Sequence, residues 1–283
     1  MEREGKIIKK IRFTVPHYIK EKIKEDENHF NLLGGEIGNR ILKYYSDQEV
    51  EKNEIKSNKG EIVQFNLNKG NDELYDVILK EHGVQNEAEF FRDLFFQYLD
   101  NPRYIREKIL FSENFTKIDE AIKGKRKLNI KYNREIRSIH PYFIKNDLGE
   151  DRSYLFCFCE VNNDYRNYRI ANISKVTLSK NFIEEFDKEY IKNVEKNFDP
   201  FLSYGKEVVV KMNENSKKIY EVAILNRPKV LKKEEDTWTF QCTNKLAKIY
   251  FPQFLHEIEI MYPLELREWF KKNFEKTAKL YGR

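Results

Sequence analysis

Four short runs between Lys127 and Phe182 (KLNIKYN, REIRSIHPY, SYLFCFCEV and YRNYRIANISKVTL) follow one another with the patterning of β-strands. Such a succession constrains this part of the chain to a small β module. The same region concentrates charge. From Ala121 to Lys180 there are 13 Lys and Arg against 6 Asp and Glu, a net of +7 in a chain whose formal charge is +5. Everything outside it therefore sums to about −2. Positive charge gathered with tyrosines on one β module points to an anionic ligand, nucleic acid first.

The chain has 283 residues, 40% of them hydrophobic and 14% aromatic, enough for two or three modules with folded cores. No run approaches eighteen consecutive apolar residues, and the start MEREGKIIKK is charged with no apolar region after it. These features predict no membrane span and no secretory peptide, hence a cytoplasmic protein. Cys157, Cys159 and Cys242 suit neither a disulfide framework nor a zinc knuckle, and are read as buried, reduced thiols.

Near the start, Ile11, Phe13 and Val15 alternate with Lys10, Arg12 and Thr14, giving a strand with one apolar and one basic, polar face. Pro16 suits the first turn of a helix carrying Tyr18, Ile19 and Ile23, and a second helix follows Gly34 and Gly35 with Ile37, Ile41, Leu42 and Tyr45. The pattern repeats. Val63, Phe65 and Leu67 alternate with Gln64 and Asn66, a helix ends at His82 and Gly83, and Asn86 with Glu89 makes a capping-box-like start for another. A strand and two helices in about forty residues resembles the ribbon-helix-helix module, in which paired strands enter the DNA major groove. Residues 1–101 are thus read as a ribbon-helix-helix-like module with tandem copies at 6–47 and 60–101, whose strands pair within one chain or between chains. On that resemblance Lys10, Arg12 and Thr14 face DNA. A solvated connector from Asp47 to Gly60 separates the copies, and residues 102–124 read as a connecting helix.

In order and spacing, IDEAIKGKRKLNIKYN, then Arg137, His140 and Pro141, then Tyr154 and Leu155, then RNYRIANISKV resemble the WYL family. The resemblance covers about 60 residues and implies an SH3-like β-barrel, at 125–196, of the kind found in bacterial transcription regulators and CRISPR-linked and other defence proteins, where it is thought to bind nucleic acid or nucleotides. Two departures stand out: Ser153 occupies the place of the family's Trp, and Ala171-Asn172 the place of its Asp-Arg pair. From the residues themselves, Arg137, Arg152, Arg166 and Arg169 are candidate phosphate grips, and Tyr142, Tyr154 and Tyr168 candidate stacking faces beside His140. The alternative at each position is packing, or pairing with Glu135, Asp151 or Asp164.

Residues 205–283 alternate strands and helices, which suggests a ferredoxin-like α+β domain, and their tail PLELREWFKKNFEKTAKLY is similar to the carboxy-terminal extension of WYL regulators. Trp269, Phe270 and Phe274 are either part of a dimer face or the stripe by which the helix packs on its own domain. The predicted class is multidomain α+β. No catalytic pattern emerges: His17, His29, His82, His140 and His256 are scattered, and there is neither a Gly-Lys-Ser/Thr phosphate loop nor a nucleophile elbow. The expectation is a non-enzymatic protein without metal or cofactor. A ribbon-helix-helix start joined to a WYL barrel resembles the accessory proteins of RNA-targeting type VI-D CRISPR systems. That implies a homodimer binding single-stranded RNA, or DNA, and modulating a CRISPR effector nuclease. The alternative is a transcriptional repressor that grips duplex DNA through the amino-terminal strands and senses a ligand at the WYL domain.

Overall fold

The computed structural model describes residues 9–53, 60–147, 151–184 and 187–282. Two compact units divide the chain: residues 1–141, 151–153 and 169–182 form unit 1, and residues 142–150, 154–168 and 183–283 form unit 2. The α+β architecture expected from the sequence is present in both.

Unit 1 begins with two strand-helix-helix copies. The first is β1 (Lys10–Val15), α1 (His17–Phe30) and α2 (Gly34–Tyr45); the second is β2 (Glu61–Asn66), α3 (Lys69–Glu81) and α4 (Glu87–Leu99). β1 and β2 pair antiparallel with Ile11 opposite Phe65 and Phe13 opposite Val63, so the strand pairing left open by the sequence is made within one chain. Alternation decides the faces: Ile11, Phe13, Val15, Val63 and Phe65 are buried. Phe13 lies 5.0 Å from Phe95 and Phe65 lies 6.0 Å from Phe91, so rings from α4 close the core beneath both strands. Gly38 of α2 permits this closeness, since a Cβ there would come within 2.6 Å of the Phe65 ring. Asn86 caps α4 by accepting from the amides of Ala88 and Glu89, as its spacing predicts.

Two polar residues join the copies. Asn39 of α2 donates to the carbonyls of Gly35 and Asn66, while its oxygen accepts from the Asn68 amide and from Asn71. Asp26 of α1, with no exposed surface, takes a two-point fork from Arg106 at 2.7 and 2.9 Å and a hydrogen bond from the Tyr98 hydroxyl at 2.6 Å. Buried charges persist only when paired in this way.

The region read as one connecting helix is two, α5 (Arg103–Leu110) and α6 (Ser112–Lys123). The break falls at Phe111, at φ −114° and ψ 27°, whose ring is buried 6.0 Å from Phe30. Turned by this break, α6 lies on β3 (Arg126–Tyr132) and β7 (Ile173–Phe182) and buries Phe115, Ile118 and Ala121. Within unit 1, β3 is flanked by β7 and by the first part of β4 (Glu135–Asp147), antiparallel to both.

Unit 2 takes the rest of β4, most of β5 (Arg152–Cys159) and of β6 (Asp164–Arg169), in the order β6-β5-β4, followed by α7 (Lys188–Lys196). Phe143, Phe156, Val194 and Leu202 form a small core with Tyr142, Tyr165 and Tyr190 against it. The remainder runs β8 (Glu207–Met212), α8 (Glu214–Val222), β9 (Lys229–Glu234), β10 (Thr237–Gln241), α9 (Asn244–Tyr250), β11 (Ile258–Tyr262) and α10 (Leu264–Tyr281), with sheet order β11-β8-β10-β9. Val208, Val210, Phe240, Phe251 and Phe254 are its fully buried centre, and Leu266 and Phe270 dock α10 there. Trp269 packs half-buried against the same core, whereas Phe274 is 37% exposed. All three cysteines are free thiols in the interior, and burial pushes the Cys242 thiol up to about 12.

Candidate nucleic-acid interface

On β1, Lys10 and Arg12 are exposed and Thr14 is half-exposed, opposite Asn66, Gln64 and Ile62 of β2. One face of this two-stranded ribbon is therefore basic and amide-rich. Also in unit 1, Arg137 pairs with Glu135, and His140 is 1% exposed, so its ring does not reach the surface. Arg169 donates to the backbone oxygen of His29 at 2.8 Å. Burial first, then the charges of Arg169, Arg103 and Arg152, hold the His29 imidazole down at about 4.

Close by in the chain, the positions of Ser153 and Ala171 meet at one carboxylate. Glu107 of α5, fully buried, accepts the Ser153 amide at 2.7 Å and the Ala171 amide at 3.2 Å. Desolvation raises its pKa, against which the Ser153 hydroxyl and amide, the Arg169 charge and the Ala171 amide act. Arg152 and Arg169 thus belong to a half-buried polar centre that holds strand ends in position.

The predicted residues of unit 2 are spread differently. The Tyr142 hydroxyl donates to the backbone oxygen of Glu184, and its ring lies 6.1 Å from Tyr165, which stacks on Phe156 at 5.5 Å. Tyr154 is half-buried 6.1 Å from Phe198, and Tyr168 is 5% exposed. Arg166 is exposed and pairs with Asp164 at 2.9 Å. The tyrosine faces are largely committed to packing, and the exposed charge of this group is Arg166.

Residues 113–178 match the WYL domain family. The WYL segment runs from α6 into β7, ending before Phe182, and contains every candidate residue outside β1. Over its full length the chain is also similar to the crystal structure of a CRISPR Cas-related protein, at 15% identity and a TM-score of 0.73, covering 100% of this chain and 97% of the other. The two share a fold. Proteasome accessory factor B/C of Arthrobacter aurescens aligns at 10% identity and a TM-score of 0.31, over 94% of this chain and 49% of that one. No curated protein sequence matches.

Sequence reasoning missed one exposed face of the WYL segment. β3 buries Leu128 and Ile130 and turns Asn129 and Lys131 outward; on β7 their register partners Thr177 and Lys175 are exposed as well. Lys131 and Lys175 stand directly opposite each other, an arrangement of like charges that disfavours the strand pair. At the end of β7, Phe182 is 65% exposed opposite the half-exposed Arg126. Alternation in KLNIKYN does place Lys131 on the face away from Ile130, but pairing it with Lys175 requires the register. Among the described residues no cluster of His, Cys, Asp or Glu could hold a metal, and no helix is long and apolar enough to cross a membrane.

Proposed function

We propose that the protein is a nucleic-acid-binding accessory or regulatory factor whose WYL segment grips single-stranded RNA. The observation carrying this reading is the opposed pair Lys131 and Lys175 on the outer face of β3 and β7. Two ammonium groups in register repel one another, and a phosphate backbone laid across them removes that repulsion. Exposed Phe182 beside Arg126 supplies a ring on which an unpaired base stacks, worth about 1–3 kcal/mol per base. Single strands offer such bases and duplexes do not. In this reading Arg137, His140, Arg152 and Arg169, which belong to the same unit as the face, support it, while Arg166, Tyr142, Tyr154 and Tyr168 belong to unit 2 and are given no part in this grip.

The proposal extends to modulation of an RNA-targeting CRISPR effector by a cytoplasmic homodimer without catalysis of its own; the shared fold with a CRISPR Cas-related protein supports the CRISPR setting alone. The labels that fit this proposal are ribbon-helix-helix-like for the paired strand-helix-helix copies, SH3-like for the WYL strands, and ferredoxin-like for the β-α-β-β-α-β run of β8 to β11. A second reading, a duplex-DNA repressor, is favoured by the basic outer face of Lys10, Arg12 and Thr14.

Competition of single-stranded RNA against duplex DNA at two salt concentrations tests the choice. RNA is expected to win at both, and Lys131→Gln with Lys175→Gln to lower the single-strand salt slope by about 1.4, at about 0.7 per phosphate contact. Equal binding of RNA by this double variant would remove the face from the site.

A further inference from the structure

Unit 1 contains a groove of about 860 Å³ walled by α2, the α5–α6 junction, the β3–β4 turn and residues 171–174. Its cations are Arg40, Lys43, Lys131 and Arg134; among its described lining residues the one acid is Glu113, which is engaged by Lys43. The groove is therefore cationic on balance, and asparagine amides fill much of the remaining wall.

Two of these cations, the arginines, lack a carboxylate ion pair among the described residues. Arg40 is half-buried, with its guanidinium 4.7 Å over the Phe111 ring and Nη1 donating to the Leu110 carbonyl at 3.0 Å. Among the described residues no carboxylate forms an ion pair with it, and Glu36 and Glu113 act only at longer range against its desolvation. A partly desolvated guanidinium with four further N–H donors and no counter-ion of its own is arranged to receive an anion.

Arg134 is the second. It forms the β3–β4 turn with Asn133, between the register partners Tyr132 and Glu135, at φ 69° and 50° respectively. Turns of this kind favour glycine at the second position, because the left-handed region crowds a Cβ. Here the position is taken by an exposed arginine lining the groove. Backbone strain retained under such a side chain clusters at binding sites.

We propose that this groove seats successive phosphates of a single-stranded nucleic acid, with Arg40 at the floor and Arg134 from the turn as its two anchoring guanidiniums. The proposal deepens the reading above and rests on it: Lys131 lies both on the outer face of β3 and in the groove lining, so the strand continues from one into the other.

The experiment measures fluorescence anisotropy of a labelled single-stranded RNA with the full chain across a salt series, for wild type, Arg134→Gly, Arg40→Gln and the control Lys271→Gln on exposed α10. Arg134→Gly restores the residue the turn prefers, so it is expected to melt no lower than wild type while weakening binding and lowering the salt slope by about 0.7. Arg40→Gln is expected to weaken binding and lower the slope likewise, with some loss of melting temperature because its contacts with Phe111 and the Leu110 carbonyl go, and Lys271→Gln to change nothing. A free-nucleotide arm, ATP titrated as competitor, is expected to displace RNA only weakly. One-to-one ATP binding abolished by Arg134→Gly would replace the strand by a mononucleotide and overturn the proposal. Unchanged slopes in both arginine variants, with the Lys131 and Lys175 double variant still impaired, would overturn the groove and leave the wider reading intact. Failure of wild type to bind RNA at any salt would remove both.

Discussion

His29 sits where α1 meets arginines from later in unit 1, and its imidazole is surrounded by Arg169, Arg103 and Arg152, with Asp26 the opposing charge. Held at about 4 rather than its ordinary 6.5, it stays neutral in the native state while the unfolded chain takes up a proton. Full stability is therefore present above pH 6.5 and is lost progressively as pH falls toward 4, levelling off below. In His29→Gln this dependence disappears. Urea midpoints at pH 7 and pH 5 are expected to move further apart in wild type than in the variant; an equal spacing would show that the imidazole is not the group responsible. The same polar centre explains how the chain tolerates Ser153 and Ala171 in place of the larger and charged residues of the WYL pattern. What Glu107 binds at both positions is the backbone amide, which any non-proline residue supplies.

At the scale of elements, close approach decides more than propensity. Helix α2 reaches the ribbon only because Gly38 has no Cβ to meet the Phe65 ring. Gly38→Ala is expected to destabilise by about 1–3 kcal/mol despite improved helix propensity, since the ring is buried and Phe91 and Phe95 crowd its other faces. Thermal melts check this, and a variant as stable as wild type would mean that the ring has room to move. Elements with a regular burial period were legible in the sequence: Ile11, Phe13 and Val15 announce β1, and Asn86 announces α4. β9 was not, because its KVLKKE is almost wholly exposed at a sheet edge and shows no alternation. α7 escaped as well, its Tyr190 and Val194 being absorbed into an aromatic core assembled from distant strands. The division of 102–124 into α5 and α6 depends on where Phe111 finds its pocket, a tertiary fact.

For the whole molecule, the charge anomaly of residues 121–180 was visible from composition, but its chemistry was not. Of the two readings the sequence left open for Tyr142, Tyr154 and Tyr168, stacking face or packing, their burial and ring contacts favour packing, whereas Lys175 and Arg40 gain significance only from register and from the groove. Two basic faces result, one on the β1–β2 ribbon and one on the β3–β7 pair, and each predicts a different nucleic acid. Crossing variants with ligands separates them. Arg12→Ala is expected to leave single-stranded RNA affinity unchanged and to weaken any duplex binding, with a salt slope lower by about 0.9 per lost duplex phosphate contact. Lys131→Gln with Lys175→Gln is expected to do the reverse, and to unfold at the same or a slightly higher temperature because a like-charge pair is gone. If Arg12→Ala instead abolished RNA binding, the ribbon and not the WYL face would be the RNA site, and the Lys131 and Lys175 pair would lose the role given to it.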